Sequence, residues 1–439
     1  MGSYNSTSLG DHAILEGIAR LVGAGTEHVS LVVFSREPTA TMRMLQLPAR
    51  VLPSSPLRAT SRCVDENQPA KSPFEEKGAC DPPEAELLLP YWRPRLWWWL
   101  RPTYRACRLL ARDIRVVAHL GFWHRVWTEL HNSDVLLIGG GNLLMDFVRS
   151  WPIYPLVYVV LAKLARVPVV FFAVGAGPVA TRRGRAYLRI ACRLADRVLL
   201  RDEESMSVAQ GVLQSPADKT LLSADPAVCL RSKKRTDAGR CWRRPMIAMT
   251  VVPYCYAGLW PSQDTSAYSC YVRSMAHVCD CVIKRLGGEV TLFATNYPKD
   301  LIAARDVYYQ ASCQSQITVL EERHTVAGIV DLLSSSDILI GTRLHSLVLS
   351  LVSNTPFLGI SYQPKVASFC RRIGLERYVI PLSKDGGCCT EQVLTLVGTL
   401  LGEDREIRAH LRSQLRELRN SARAGLDSVM ELIHGASGT

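Results

Sequence analysis

The strongest indication of the fold class is the stretch 336–365, SDILIGTRLHSLVLSLVSNTPFLGISYQPK. An apolar run over 337–340, a helical pattern over 344–351 and a second apolar run over 356–360 follow one another in it. This order predicts a strand, a helix and a second strand, which is the repeating unit of parallel sheets covered by helices. We therefore expect an α/β fold.

Charged residues gather where that helix begins. Thr342 is predicted to be the helix N-cap, so that the first free backbone N–H groups point to the place where Arg343 and His345 lie. Arg343 offers a guanidinium fork that matches a phosphate or carboxylate, and His345 can carry a proton near neutral pH. A lone histidine is more often structural than catalytic, and only the neighbouring arginine favours a functional interpretation. We expect an anion to bind here.

The same alternation of apolar runs and helical patterns continues along the chain. The predicted strands lie at 28–34, 134–138, 167–174, 197–200, 221–223, 246–252, 289–295, 317–320, 337–340 and 356–360. The first predicted helix ends at about residue 22, and further helices lie at 156–165, 185–195, 266–285, 301–311, 325–333, 344–351 and 403–432. Strands that alternate with helices predict parallel sheets with helices on both faces.

The basic, polar segment 231–244 separates two sets of these elements. We expect two Rossmann-like, doubly wound domains that face a cleft, with ligands bound at the carboxyl ends of the strands. The N-terminal domain would span 1–232 with an insertion at about 36–112, and the C-terminal domain 245–402. A charged helix over 403–439 would close the chain.

Composition narrows the class of partner. The chain of 439 residues is long enough for two domains, and its net charge of +12 indicates phosphorylated small molecules, an anionic membrane or nucleic acid as partners. The 14 cysteines are scattered without zinc-ligand spacing. Since neither a signal peptide nor an apolar run long enough to span a membrane is recognised, we expect a cytoplasmic protein with reduced thiols.

The segment 92–112 alternates tryptophans with arginines. Aromatic rings beside arginines suit the boundary between lipid headgroups and acyl chains, so this segment is a candidate for peripheral membrane contact. A packed helical insert whose arginines face water is an equally good interpretation. Such side chains can also stack nucleic-acid bases, but no nucleic-acid module is recognised, and we expect no nucleic-acid partner.

A glycine cluster directly follows the predicted strand at 134–138, in the motif DVLLIGGGNLL. Gly139, Gly140 and Gly141, followed by Asn142, let the backbone approach a ligand closely and leave N–H groups free to hold an anion. A tight turn alone also needs glycine, so the cluster by itself does not decide between the two interpretations.

Four further polar residues are candidates for the cleft. Arg201 follows a predicted strand and is either a second cation for the ligand or the partner of Asp202 or Glu204 in a surface ion pair. Asp225, in SADPAV, either orients a substrate hydroxyl or caps a turn before proline, and the turn is the stronger interpretation on its own. Asn5 and Asp11 lie in the polar loop SYNSTSLGDHAIL before the first helix.

Taken together and in chain order, these motifs resemble the polysaccharide pyruvyl transferase family. The matching pieces are NSTSLGDHAIL, DVLLIGGGNL, VGAGP, ADRVLLRDEES, SADPA, DILIGTRLHSLVLS and PFLGISYQPKV. They span most of the chain, and the last two are the most specific. The resemblance implies a fold similar to B-type glycosyltransferases. It also implies transfer of a pyruvyl group from phosphoenolpyruvate onto two hydroxyls of a sugar, which forms a cyclic ketal.

The resemblance also assigns roles to particular residues. The family's R-L-H motif falls on Arg343, Leu344 and His345, its R-D motif on Arg201 and Asp202, and its lysine on Lys365. Phosphoenolpyruvate would bind the cations and the helix start at Thr342, with His345 as general acid or base. The resemblance implies phosphoenolpyruvate as co-substrate and a sugar or lipid-linked glycan as acceptor, and no cofactor or metal is expected. The insertion at about 36–112 is a departure from the family pattern. It lies in the N-terminal domain, where the acceptor is expected to bind.

Two rival functions remain open from the sequence. Because fold does not decide chemistry, a glycosyltransferase of the same architecture that uses a nucleotide sugar is one alternative. The other is a non-catalytic scaffold that docks on membranes through the segment 92–112.

Overall fold

The computed structural model describes residues 8–23, 30–35, 41, 49–53, 116–146, 151–232, 244–260 and 263–436. Contacts divide the chain into two units, one formed by Met1–Ser54 with Trp127–Thr439 and the other by Ser55–Val126. The sheets lie in the first unit. Asn5, the segment 92–112 and most of the predicted insertion lie outside the described residues.

The described part of the chain alternates strands and helices. The strands are β1 (Leu31–Ser35), β2 (Ala49–Pro53), β3 (Leu136–Gly139), β4 (Asn142–Leu144), β5 (Val169–Ala176), β6 (Arg197–Leu200), β7 (Thr220–Leu222), β8 (Met246–Met249), β9 (Glu289–Leu292), β10 (Ile317–Val319), β11 (Ile338–Gly341), β12 (Phe357–Ser361) and β13 (Val379–Pro381). The helices are α1 (Leu9–Gly23), α2 (Leu120–His131), α3 (Ile153–Leu164), α4 (Arg182–Leu194), α5 (Glu203–Gly211), α6 (Thr265–Leu286), α7 (Lys299–Gln310), α8 (Val326–Ser335), α9 (Leu344–Val352), α10 (Pro364–Arg372), α11 (Thr390–Gly402) and α12 (Asp404–Ala436).

Two parallel sheets form the centre of the first unit. One has the strand order β3-β5-β6-β7, with β4 paired to β5, and the other has the order β10-β9-β8-β11-β12-β13. Every residue of β5 and β11 is buried, as expected for parallel strands covered by helices on both faces. The α/β prediction with two doubly wound halves is confirmed. A separate parallel pair, β1 with β2, places a strand inside the predicted insertion.

Capping residues explain where several helices begin. Each of four side chains accepts a hydrogen bond from a backbone N–H in the first turn, which satisfies a donor that has no partner within the helix. These N-caps are Thr181 for α4, Asp202 for α5, Asp264 for α6 and Thr325 for α8. α6 ends at Gly287, whose φ of 66° lies in the left-handed region that glycine adopts without strain.

Several elements were not predicted from the sequence, and they are short or weakly patterned. The strands β4 and β13 contain three residues each, too few to show an alternating pattern. α5 has the sequence EESMSVAQG and α10 the sequence PKVASFCRR, with few apolar residues at helical spacing. None of the helices in the described part of the chain is long and apolar enough to cross a membrane.

Helix α1 joins the two α/β halves. Most of its residues are buried, and they belong to one hydrophobic cluster with residues of both sheets. At its start, the N–H of Leu9 donates a hydrogen bond of 2.8 Å to the carbonyl of Thr295, which follows β9. Midway, Gly17 packs against the 3-10 helix Pro226–Cys229, where an added Cβ would lie 2.0 Å from the carbonyl oxygen of Pro226. Only glycine fits this contact.

Replacing Gly17 with alanine is therefore expected to destabilise the fold. A backbone carbonyl cannot move aside as a flexible side chain can, and overpacking of this kind costs about 1–3 kcal/mol. Chemical denaturation measures the change. The matched control is Gly398→Ala in α11, where an added Cβ meets nothing within 4 Å. The control should gain about 0.5–1 kcal/mol from helix propensity. Equal stability of the two variants would contradict the packing of α1.

Candidate active site

The predicted anion site lies at the junction of β11 and α9, but its helix cap differs from the prediction. Arg343, not Thr342, is the N-cap of α9, and no side chain caps the helix. Thr342 is fully buried, and its hydroxyl donates a hydrogen bond of 3.0 Å to the carbonyl of Thr250 at the end of β8. The prediction of Thr342 as N-cap was therefore wrong, because the hydroxyl joins two neighbouring strands. The side chain of Leu344 is also buried.

Arg343 is oriented by a buried carboxylate. Its Nε and Nη2 donate hydrogen bonds of 3.2 and 2.5 Å to Asp300, the second residue of α7, which is 0% exposed. Its Nη1 donates to the hydroxyl of Tyr362 at 3.2 Å. Burial lowers the pKa of Arg343, but the Asp300 carboxylate more than offsets this, so that the pKa is raised. The guanidinium is thus charged and fixed in one orientation.

His345 faces the carboxylate of Asp225. Its Nε2 lies 3.5 Å from Oδ2 of Asp225, and neither atom makes a hydrogen bond to another described residue. This distance is longer than a normal hydrogen bond, so the contact becomes an ion pair when the imidazole is protonated. On its other side the ring packs against Gly10 of α1, where an added Cβ would lie 2.1 Å from Nδ1.

Asp225 caps a turn, as the stronger of its two interpretations predicted. Its Oδ1 accepts a hydrogen bond of 3.0 Å from the N–H of Ala227, which caps the 3-10 helix Pro226–Cys229. Its Oδ2 is left to face His345 and, at 3.8 Å, Nη1 of Arg201. Burial alone would raise the pKa of Asp225, but His345, Arg201 and the Ala227 N–H together lower it. The carboxyl is therefore ionised at neutral pH.

Arg201 lies directly after β6 and is buried. Its side chain is 7% exposed, so the ion pair of its Nε with Asp202, at 3.2 Å, is not the surface pair of the rival interpretation. Nη2 donates a hydrogen bond of 2.6 Å to the amide oxygen of Asn142. Arg372 of α10 donates to the backbone carbonyl of Arg201. These contacts hold the guanidinium beside Asp225 and connect the two sheets.

Lys365, the second residue of α10, completes a group of three cations. Burial and the charges of Arg343 and Arg201 lower its pKa to about 8, with Asp300 acting in the opposite direction. Within the described part of the chain, its ammonium group makes no hydrogen bond or ion pair. Because nearby positive charges repel it, the cation is poised to bind an anion.

The glycine motif after β3 forms a turn close to Arg201. Gly140 and Gly141 have φ values of 87° and 65°, which residues with a Cβ rarely adopt. The amide nitrogen of Asn142 donates to the carbonyl of Gly177 at 3.3 Å, which directs the amide oxygen to Arg201. Gly139 packs against Ile18 and Phe172, so its role is the close approach of α1 to the sheet.

Asp11 lies in the first turn of α1, next to the glycine that touches His345. Its backbone N–H donates a hydrogen bond of 3.3 Å to the hydroxyl of Ser8. Sequence reasoning missed three residues of the site, which are Asp300, Tyr362 and Gly10. Tyr362 directly follows the carboxyl end of β12, so the rule that identified Arg201 also applies to it. Asp300 lies in the first turn of α7, and its role depends on a contact with a residue far along the chain. The role of Gly10 depends on helix packing, which no local pattern reveals.

The arrangement is suited to a small anion with more than one charged group. Three cations and the imidazole meet at the carboxyl ends of the strands, while the carboxylates of Asp300, Asp202 and Asp225 pair with the two arginines and the imidazole. A phosphate or carboxylate would offset the repulsion among the cations. Among the described residues, no group of three or more His, Cys, Asp or Glu side chains is arranged to hold a metal ion.

Comparisons with solved structures define the class of fold. A glycosyltransferase from Rickettsia africae ESF-5 aligns with 96% of this chain and 94% of its own, with a TM-score of 0.55 and 9% identity. Alr3699/HepE from Anabaena, crystallised with UDP, aligns with 99% of this chain and 98% of its own, with a TM-score of 0.54 and 10% identity. The protein therefore has a fold like that of B-type glycosyltransferases, and identities this low show the fold alone.

Sequence comparison defines the family. The chain matches the family described as polysaccharide pyruvyl transferase across residues 9–364, and it belongs to that family. It is also similar to the amylovoran biosynthesis protein AmsJ of Erwinia amylovora, with 21% identity over 391 residues that cover 85% of each chain. The resemblance inferred from the ordered motifs is confirmed.

The pairing of Arg343 with Asp300 can be tested by neutralising the buried carboxylate. Asp300→Asn should destabilise the protein by about 3 kcal/mol, because the guanidinium loses the charge that compensates its burial. Chemical denaturation at neutral pH measures the loss. The control is Glu391→Gln, which removes the partner of Arg285 in an exposed ion pair and should leave stability nearly unchanged. Equal losses in both variants would contradict the role of Asp300.

Proposed function

We propose that this transferase moves a pyruvyl group from phosphoenolpyruvate onto two hydroxyls of a sugar in a polysaccharide or glycan precursor, and so forms a cyclic ketal. The family membership supports a pyruvyl transfer onto a glycan. The observation that carries the choice of donor is the convergence of Arg343, Arg201 and Lys365 beside the His345–Asp225 pair.

The donor fits this cluster by charge. Phosphoenolpyruvate carries a carboxylate and a phosphate on one small carbon skeleton, so its site needs several fixed cations close together. Arginine forks bind such groups with two parallel hydrogen bonds, and the lysine adds a compact point charge. The uncapped start of α9 adds the partial positive charge of a helix N-terminus. The phosphate and the carboxylate would therefore lie among Arg201, Arg343 and Lys365.

The proposed reaction begins with protonation of phosphoenolpyruvate and ends with closure of the ketal ring. A proton adds to the methylene carbon, which becomes a methyl group and leaves a cation at the carbon that bears the phosphate oxygen. One sugar hydroxyl attacks this carbon and releases its proton, the C–O bond to phosphate breaks, and the second hydroxyl then closes the ring with loss of its own proton. The products are the ketal and inorganic phosphate. The scheme uses phosphoenolpyruvate as co-substrate and needs no other cofactor.

His345 and Asp225 move the protons in this scheme. His345 can deliver a proton to the methylene carbon as imidazolium and remove one from an attacking hydroxyl as imidazole. Asp225, ionised and 3.5 Å away, stabilises the imidazolium form. Gly10 holds the ring from the other side, so the imidazole keeps one orientation toward the cleft. The cations stabilise the developing charge on the leaving phosphate.

Turnover of phosphoenolpyruvate with candidate glycans tests the function. Phosphate release and the methyl signal of the ketal in NMR spectra should appear together, and only when a suitable acceptor is present. The nucleotide-sugar alternative instead predicts tight binding of a nucleoside diphosphate and glycosyl transfer without use of phosphoenolpyruvate. Saturable phosphoenolpyruvate binding without competition from UDP favours the pyruvyl transfer. Tight UDP binding without saturable phosphoenolpyruvate binding overturns it.

Replacing His345 with alanine should remove general acid–base catalysis but keep the cations. We expect turnover to fall roughly 10²- to 10⁴-fold, with phosphoenolpyruvate affinity largely retained. Steady-state kinetics and binding calorimetry measure the two effects separately. His434→Ala, at an exposed position in α12, is the matched control and should leave both values unchanged. Unchanged turnover in the His345 variant would remove this residue from the mechanism.

The lowered pKa of Lys365 predicts a pH dependence of donor binding. The free enzyme loses the Lys365 proton as the pH rises through about 8, so phosphoenolpyruvate affinity should fall on the alkaline side. Lys365→Arg keeps its charge at all these pH values, and its profile should lack this loss. Lys384→Arg, at an exposed position, serves as control and should keep the wild-type profile. An identical alkaline decline in both variants would contradict the assignment.

A further inference from the structure

A cavity of about 490 Å³ lies away from the catalytic residues, at the other end of α1. The last turns of α1, the segment after the 3-10 helix Pro226–Cys229, and α12 form its walls. Its volume lies within the range of sites that bind small molecules. The lining residues are Glu16, Ala19, Arg20, Leu21, Gly23, Cys229, Leu230, Arg231, Arg419 and Arg423.

Four arginines line this cavity, and Glu16 is the single acidic residue among the described residues of its lining. Glu16 pairs with Arg20 one helical turn away, at 2.8 Å. Arg419 uses its guanidinium to bind the backbone, with Nε donating to the carbonyl of Val228 at 2.8 Å and Nη2 to that of Leu230 at 2.7 Å. The positive charge of the other arginines therefore has little local compensation.

The pKa of Arg419 shows that neighbouring guanidinium groups of the cavity repel each other. Burial lowers the pKa of Arg419, and the charge of Arg423 lowers it further. Arg423 and Arg231 are exposed, and neither forms an ion pair or hydrogen bond with another described residue. Like charges held together in a concave site would be relieved by a bound anion, and their free guanidinium groups can bind phosphate in a bidentate manner.

The cavity is distinct from the catalytic cleft. Arg20 lies ten residues after Gly10 on α1, which places it about 15 Å from the glycine that touches His345. None of Arg201, Asp225, Arg343, His345 and Lys365 lines the cavity. Part of the cavity wall is apolar and is formed by Ala19, Leu21 and Leu230. An uncharged part of a ligand can pack against this surface beside the arginines.

We propose that this cavity is a second anion site, which binds a small molecule bearing a phosphate or diphosphate group. Arg231 and Arg423 bind the phosphate oxygens with Arg20 beside them. Arg419 holds the wall in place through the carbonyls of Val228 and Leu230. The ligand is separate from the pyruvyl donor, and its binding does not depend on the function proposed for the cleft.

Calorimetric titration with inorganic pyrophosphate tests this site. The double variant Arg231→Gln with Arg423→Gln should weaken binding at the cavity at least about tenfold, because it removes both exposed guanidinium groups that would bind the phosphate oxygens. The matched control is Arg405→Gln with Arg416→Gln, which removes the same charge from exposed positions of α12 outside the cavity. The control should change affinity less than about twofold.

The variant Lys365→Gln distinguishes binding in the cleft from binding in the cavity. It weakens anion binding among the catalytic cations but should keep the cavity site. Titrations with UDP and with farnesyl diphosphate then distinguish a nucleoside from a lipid as the uncharged part of the ligand. The readout is heat of binding, so failure of the proposed transferase activity leaves this test intact. Absence of a binding event sensitive to Arg231 and Arg423, or equal weakening in the control variant, would overturn the proposal.

Discussion

Repulsion among three cations is the constraint on which the site depends. Burial together with the nearby charges of Arg343 and Arg201 lowers the pKa of Lys365 to about 8, and buried carboxylates hold the two arginines in place. Folding does not require such an arrangement, and an anionic ligand would relieve it. The cost of keeping like charges together is therefore the main physical support for our proposal that a multiply charged anion binds in this cleft.

The two sheets contribute different parts of the site, and α1 holds the parts together. Arg201, Asn142 and Asp225 belong to the half built around β3–β7, whereas Asp300, Arg343, His345 and Lys365 belong to the half built around β8–β13. Gly10 touches His345 from α1, and Gly17 packs against the short helix that Asp225 caps. The His345–Asp225 pair thus depends on packing between the halves as well as on local sequence.

The parts that the sequence predicts are those with local signals. Apolar runs located most strands of both sheets, the rule that ligands lie at the carboxyl ends of strands led to Arg201, and the predicted helix start led to Arg343. The N-cap assignment of Thr342 failed because a buried hydroxyl can bond the neighbouring strand instead of its own helix. Asp300 and Gly10 were not predicted from the sequence, because their roles arise from contacts between residues far apart in the chain. Neither spacing nor composition encodes such contacts.

A crystal structure of the protein soaked with phosphoenolpyruvate would show whether the three cations bind the donor. We expect its phosphate and carboxylate to lie among Arg201, Arg343 and Lys365, with the methylene carbon near the imidazole of His345. If the donor at saturating concentration binds elsewhere and not among these residues, the cluster is not the donor site.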